Sequence, residues 1–408
     1  VPPSPLTRQF TARLRTGRNL IAVKVVSGSG GFVLAACGPR ELRAAMARRE
    51  AACDALRRQG RQFIFETGTD GYFAYRIPAL LATRAGTLLA FCEGRVHDGF
   101  DHGEIHLLLK RSEDGGRNWS SPQVVWRDGP NTCGNPCPVQ DDATGTIWLA
   151  ANWNRAGGHS ESYFNAYDTR YVHVLASDDD GRTWSEPRGI TDDVKPRNWG
   201  WYAAGPGTGI QIRKGPHRGR LVIPCNHSEF GDGPARLFSH VILSDDHGRT
   251  WRLGGQTPTD GFDESQVAEL RDGRLMLNMR NNGAKADYRG VTLSADGGQT
   301  WGAVRHDSTL VEPRGGCQGS LIRLPDGRLL FSNPASRRRE RMTVRASGDD
   351  GASWTDVAVL HEGPAAYSSL TLLPDGRVAC LFECGIEHPY ETVAFVTLPL
   401  EENHELHS

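Results

Sequence analysis

Ser112-Glu-Asp-Gly-Gly-Arg-Asn-Trp119 is the first of five stretches written to one pattern, Ser-x-Asp-x-Gly-x-x-Trp. The others begin at Ser177, Ser244, Ser294 and Ser347 and end at Trp184, Trp251, Trp301 and Trp354. Four residue types held at fixed offsets through five copies mark an internal repeat, and a repeat decides the architecture before any local reading does. Within each copy Asp can accept backbone N–H bonds of its own turn, Gly supplies a positive φ, and Trp leaves the turn as the first apolar residue of the next strand.

A second signal interleaves with the first. Gly86-Thr-Leu, Gly145-Thr-Ile, Gly219-Arg-Leu, Gly273-Arg-Leu, Gly327-Arg-Leu and Gly376-Arg-Val each open an apolar run and read as turns feeding a strand. Their spacings are 59, 74, 54, 54 and 49 residues, and every interval contains one copy of the box. Each interval has room for four short strands, the content of one propeller blade. The expectation is an all-β chain: a six-bladed β-propeller with Asp-box repeats over residues 63–402, preceded by an N-terminal segment, 1–62, and followed by a tail, 403–408. In the N-terminal segment Leu20–Val26 reads as a strand similar to the closing strand of galactose-binding-like β-sandwiches. Pro39–Gln59 reads as an amphipathic helix, with Leu42, Met46, Ala52 and Leu56 near helical spacing. That helix either packs on the main domain or a lost neighbour, or stands as a solvated linker.

Composition narrows the partners. A formal net charge of -1 over 408 residues offers no electrostatic case for a nucleic acid or an anionic membrane. All but five of the 47 basic residues are arginine, so a lone arginine says little. The nine cysteines include Cys133/Cys137 and Cys380/Cys384, each C-x3-C rather than the closer zinc pair, and they read as buried thiols with no metal site. No apolar run approaches the roughly 18 residues that span a bilayer. The sequence starts at Val1 rather than Met, and the expectation is a secreted or periplasmic protein whose signal peptide has been removed.

An ordered set of short segments carries the functional reading. Tyr75-Arg-Ile-Pro, Phe91-Cys-Glu-Gly-Arg95, Asn135-Pro-Cys-Pro, Ala204-Gly-Pro-Gly, Glu264-Ser-Gln-Val-Ala-Glu, Gly316-Cys-Gln-Gly-Ser and Ala366-Tyr-Ser occur in this order between the boxes. The set resembles the sialidase (neuraminidase) family over residues 64–400. The resemblance implies a retaining exo-α-sialidase acting on sialylated glycans, with no metal or organic cofactor. A trans-sialidase, including an intramolecular one, is the first alternative, and a non-catalytic sugar-binding propeller the second.

The resemblance also assigns roles that suit the chemistry of sialic acid. The sugar's carboxylate calls for planar guanidinium forks, which lysine cannot copy. Arg76, Arg280 and Arg345 match the family's three arginines, and Glu383 matches the carboxylate that orients the first. Sialidases depart from the two-carboxylate plan of most glycosidases. A carboxylate attacking a carbon that already bears one is repelled, whereas a neutral phenol can approach and be ionised by a base. Tyr367 matches this nucleophile and Glu264 its base. Asp101 matches the acid/base on a loop, with Asp98 and Glu104 as near rivals. Glu93 and Arg95 match residues on the C4 side of the sugar, and Asn135 and Gln318 are expected to be polar pocket groups. Trp199, Trp201 and Tyr202 either flank the glycerol tail or pack in the core. The stretches 153–171 and 227–236 match no family pattern and are expected to shape linkage or aglycone preference.

Overall fold

The glycine turns and the boxes mark the same end of successive strands. After each Gly-x-apolar turn a strand runs away from it: Leu88–Arg95, Ile147–Asn154, Leu221–Gly231, Leu275–Asn281, Leu329–Pro334 and Val378–Cys384. The returning strands Ile105–Ser112, Tyr171–Ser177, Gly233–Ser244, Tyr288–Ser294 and Glu340–Ser347 each end on the serine that opens a box. Loops joining an outgoing strand to its returning partner therefore lie at the opposite end from the boxes.

The computed structural model describes residues 22–28, 31–37, 39–157, 163–283 and 287–399. The chain divides between Gln59 and Gly60 into two units. In the first, Ala22–Gly28 pairs antiparallel with Gly31–Cys37, and a helix follows over Pro39–Arg58. The sequence reading has one strand here; the structure has a hairpin, and Leu20, Ile21 and the tail 403–408 lie outside the described residues. No helix among the described residues is long and apolar enough to cross a membrane.

The second unit is all-β, in curled antiparallel sheets of eight, five, four and seven strands among the described residues. The eight-stranded sheet consists of two sets joined only by the parallel bridge Ile105↔Thr132. In the seven-stranded sheet the long strand Thr355–Leu372 pairs with Glu340–Ser347 through its first half and with Val378–Cys384 through its second. The final strand, Thr392–Leu398, takes as its outer neighbour the unit's first strand, Gln62–Glu66. The core lies between consecutive strand sets: Leu89, Phe91 and Leu107 pack with Ile147, Leu149 and Leu175. Leu80, Leu88 and Leu108 likewise share a cluster with Leu381, Val393 and Phe395.

The five boxes share one hydrogen-bond geometry. The serine hydroxyl donates to the aspartate at 2.7–2.9 Å and accepts the N–H of the fifth-position glycine at 2.8–2.9 Å. The aspartate also accepts the N–H of the residue before the tryptophan. The glycine is required twice over. At Gly248 φ is 84°, and a Cβ would stand 2.1 Å from Trp148 Nε1 in the neighbouring strand set.

Candidate functional site

The first strand of several sets slips register at its start, at the end away from the boxes. The ladder shifts between Arg76 and Ala79, Gly134 and Cys137, Trp199 and Tyr202, Phe262 and Ser265, and Ala365 and Ser368. The residues inside these bulges include Ile77, Asn135, Trp201, Glu264 and Tyr367. A bulge frees a side chain from strict in-out alternation and re-aims it. At two of the bulges the re-aimed side chains, Glu264 and Tyr367, meet.

Tyr367 is the centre of the cluster. Its hydroxyl donates to Glu264 Oε1 at 2.5 Å. Arg280 Nη1 donates to Glu264 Oε2 at 2.8 Å and to the Tyr367 oxygen at 3.2 Å, while its other nitrogens reach Gly315 O. Arg76 stands 5.1 Å from the Tyr367 ring centroid and Arg339 stands 5.6 Å from it. Burial, then the Glu264 charge, push the Tyr367 phenol well above its ordinary value, against the pull of Arg280, Arg339 and Arg76. The resting group is a neutral phenol hydrogen-bonded to a carboxylate. Asp263, beside this pair, accepts bonds from Asn282 and from Glu264 N–H, and its burial raises its pKa despite Arg280.

Glu383, completely buried, organises one side of the cluster. Its oxygens accept Arg76 Nε at 2.8 Å, Arg76 Nη2 at 3.3 Å, Ile77 N–H at 2.9 Å and Tyr367 N–H at 3.0 Å. Ile77 has φ of 61°, an outlier for a β-branched residue. Such strain persists where surroundings over-determine it, and here the Glu383 bond fixes the peptide that follows Arg76.

A second group lies on the Arg95 side. Glu93 accepts Arg95 Nε at 3.1 Å, Arg95 Nη2 at 2.8 Å and Asn135 N–H at 2.9 Å. Arg95 in turn donates to Gly99 O and to Asp101 Oδ1, both at 2.6 Å, and Asp101 lies 3.9 Å from Arg76. Although its side chain is 69% exposed, Asp101 faces this charge. Crowding by protein raises its pKa, but Arg95 and then Arg76 outweigh that and hold it well below the usual carboxylate range. Asp98 caps Phe100 N–H, and Glu104 pairs with His97 and His106. Neither rival of Asp101 reaches the arginines.

The structure does not bring Arg345 to this cluster. It sits two residues before the Ser347 box, where Nε donates to Asp356 at 3.0 Å and Nη1 reaches Asn333 at 3.4 Å. The guanidinium in the cluster is Arg339, immediately before the other end of the same strand, roughly 20 Å away at ~3.3 Å per residue. Arg339 donates to Tyr390 Oη and to Gly316 O, and no carboxylate among the described residues pairs with it. Its signal was hidden in Ser336-Arg-Arg-Arg-Glu-Arg341, where nothing distinguishes one arginine. Strand polarity could have done so, because the box lies at the wrong end for Arg345.

Other expected groups are placed unevenly. Gln318 is fully engaged in positioning: it exchanges two 3.0 Å bonds with the Ser368 backbone, next to Tyr367, and donates to Pro206 O. Trp199 and Tyr202 are core residues, Trp199 stacking on buried His227 at 3.3 Å. Trp201 is half-buried, between Phe164 and the Arg170 guanidinium. Arg170, unforeseen from sequence, is buried and donates to Asn135 Oδ1, Asn154 Oδ1 and Tyr202 O. Tyr390, also unforeseen, lies under Arg76 at 3.9 Å. A cavity of about 650 Å³ opens beside the cluster, not over it, along residues 229–237 and Asn282.

Comparison with known proteins places the chain among its relatives. A family model described as a BNR repeat-like domain matches residues 86–380. The chain is 40% identical over 340 residues to a sialidase of Micromonospora viridifaciens, covering 78% of this chain and 51% of that protein. It thus spans about half the length of that relative. It is 31% identical to Sialidase-2 of Mus musculus, over 86% of this chain and 97% of the mouse protein. Among solved structures, the Hadza microbial sialidase Hz136 superposes with a TM-score of 0.76 at 34% identity, covering 84% of this chain and 68% of that one.

Proposed function

The chain belongs to the sialidase family, and on that premise we propose that it is a retaining exo-α-sialidase that hydrolyses terminal sialic acids from glycoconjugates. The observation that carries this reading is the 2.5 Å contact from Tyr367 to Glu264 amid Arg76, Arg280 and Arg339. No carboxylate among the described residues pairs with Arg339, so an incoming carboxylate is its natural partner. The three guanidiniums bind that group and set the anomeric carbon over the Tyr367 oxygen. Glu264 takes the phenolic proton as the oxygen attacks C2, the C2–O bond to the leaving group breaks as Asp101 protonates that oxygen, and a sialyl-enzyme intermediate, an aryl ketoside, forms at Tyr367.

Asp101 is the acid/base in this scheme. Arg95 and Arg76 keep it ionised. A substrate carboxylate engages Arg76 and adds a negative charge nearby, and both effects raise the pKa of Asp101. Binding therefore loads the acid with the proton that the leaving oxygen needs. In the second half-reaction the same carboxylate accepts a proton from the attacking water. None of these steps needs a metal or an organic cofactor.

The four-strand sets are read as six blades of a propeller whose last blade is completed by Gln62–Glu66. The cluster shared by Leu80, Leu88, Leu381 and Phe395 supports packing of the first set on the last. In such a ring, residues 76 to 383 converge at one axis. Time-resolved proton NMR of 3′-sialyllactose with the purified protein tests the activity. Initial release of the α-anomer of free sialic acid is expected. An anhydro sugar or a transfer product would replace hydrolysis by the transferase reading, and no product at all would leave a binding protein.

A further inference from the structure

Four large hydrophobic side chains are exposed among the described residues: Phe73 at 54%, Phe100 at 53%, Val124 at 42% and Val357 at 47%. Both phenylalanines stand at the loop that carries Asp101. Phe100 immediately precedes Asp101, and its ring lies parallel to that of His102, 5.6 Å between centroids. Phe73 borders the apex from the other side, with Cε1 4.0 Å from where a Gly99 Cβ would be. Its N–H donates to Arg95 O, so it is fixed to the strand that delivers Arg95. The loop is closed below by Val96 N–H to Glu104 O and Thr132 Oγ1 to Gly103 O, at 3.0 and 2.8 Å. At its tip two exposed aromatic rings flank Asp101, with Asp98 and Glu104 turned to Phe100 N–H and to His97 and His106.

Two exposed aromatic rings at one loop offer apolar surface that a ligand can cover. Its position selects the ligand. The acid that protonates a glycosidic oxygen must touch that oxygen, so the sugar bonded to it lies over the residues flanking the acid. A neutral pyranose has an apolar C–H face that stacks on an aromatic ring, and aromatic walls with few polar groups are the usual lining of such sites.

We propose that Phe73 and Phe100 form a leaving-group subsite that stacks the uncharged sugar to which the sialic acid is attached. The inference rests on the exo-sialidase reading with Asp101 as acid. Binding energy from this remote ring is available to align the glycosidic oxygen with Asp101 in the transition state, so its loss falls on turnover as well as on affinity.

The test compares kcat/KM for 3′-sialyllactose and for methyl α-sialoside. Both leaving groups are poor and need the acid, but methanol has no ring to stack. Phe100→Ala and Phe73→Ala, at exposed positions that leave folding intact, should each lower kcat/KM for sialyllactose about three- to tenfold and leave methyl sialoside unchanged. Phe100→Trp should restore the sialyllactose value. Equal loss on both substrates would overturn the proposal, because the phenylalanines would then only position Asp101. Unchanged kinetics with dimerisation lost in light scattering would overturn it too, by making the patch a contact between copies. Failure of the wild-type protein to cleave either substrate would instead remove the sialidase reading, a distinct outcome.

Discussion

Glu383 grips Arg76 with both carboxylate oxygens, at 2.8 and 3.3 Å, in a position with no exposure to solvent. The same two oxygens hold the Ile77 and Tyr367 peptides, so one side chain sets Arg76 and Tyr367 in a common frame. Glu383→Gln places an amide N–H₂ among four donors and leaves Arg76 without its counter-charge. Breaking a buried pair in this way costs about 3–5 kcal/mol. Urea denaturation should show a loss of that order, together with loss of sialoside cleavage; stability within about 1 kcal/mol of wild type would contradict this role.

Arg339 and Arg345 should separate cleanly. Arg339→Met removes a charged donor that no carboxylate among the described residues pairs with, and a charge-assisted bond is worth about 1.5–3 kcal/mol. Affinity for a sialic-acid transition-state analogue, measured by calorimetry, should fall about 10- to 100-fold. Arg345→Met should leave that affinity within about twofold and lower stability by about 1 kcal/mol, because its partner Asp356 is half exposed.

The box glycines should govern stability without touching chemistry. Gly248→Ala forces a Cβ into the Trp148 indole at a residue with φ of 84°. Overpacking and backbone strain together predict a loss of about 2–4 kcal/mol in denaturant titration. The value of kcat/KM for the folded protein should not change, since the box lies at the end of the strand away from Tyr367.

Acid sensitivity should arise at a buried histidine pair. His227 and His240 share a 2.9 Å Nδ1···Nδ1 contact, packed against Trp199, Tyr202 and Phe238, with Gln256, Glu229 and Lys195 facing His227. Burial pushes His227 well below its ordinary value and His240 down to about 3. A base with a depressed folded pKa binds its proton more readily when unfolded. Stability is therefore complete above the unfolded value near ~6.5 and is lost as pH falls below it, by up to about 1.4 kcal/mol per pH unit for each histidine. His240→Gln should reduce the slope of unfolding free energy between pH 6.5 and 5 by about 1 kcal/mol per unit. An unaltered slope would place the titrating groups elsewhere.

The sequence carried the strand arithmetic because turns are local. Gly376-Arg-Val and Ser347-x-Asp-x-Gly-x-x-Trp354 are readable without knowing any partner, and the structure starts and ends strands on them. The cluster around Tyr367 was legible only where a residue sits inside a distinctive segment, as Arg76, Glu264 and Tyr367 do. Arg339 was not, since a run of four arginines within five positions hides the one that faces inward. Gln318 illustrates a different limit: residue type and segment cannot tell a pocket-lining amide from one spent on the Ser368 backbone. The bulges that aim Glu264 and Tyr367, and the positive φ of Ile77, depend on cross-strand register, which no single strand encodes.

The central claim is that Tyr367, not a carboxylate, receives the sugar. Incubation with a 2,3-difluorosialic acid, which forms the intermediate quickly and releases it slowly, tests this directly. Peptide mass spectrometry after rapid quenching should find the fluorosialyl adduct on Tyr367, and Tyr367→Phe should abolish the adduct while keeping affinity for the transition-state analogue. An adduct on Glu264 or Asp101, or undiminished labelling of Tyr367→Phe, would contradict the account.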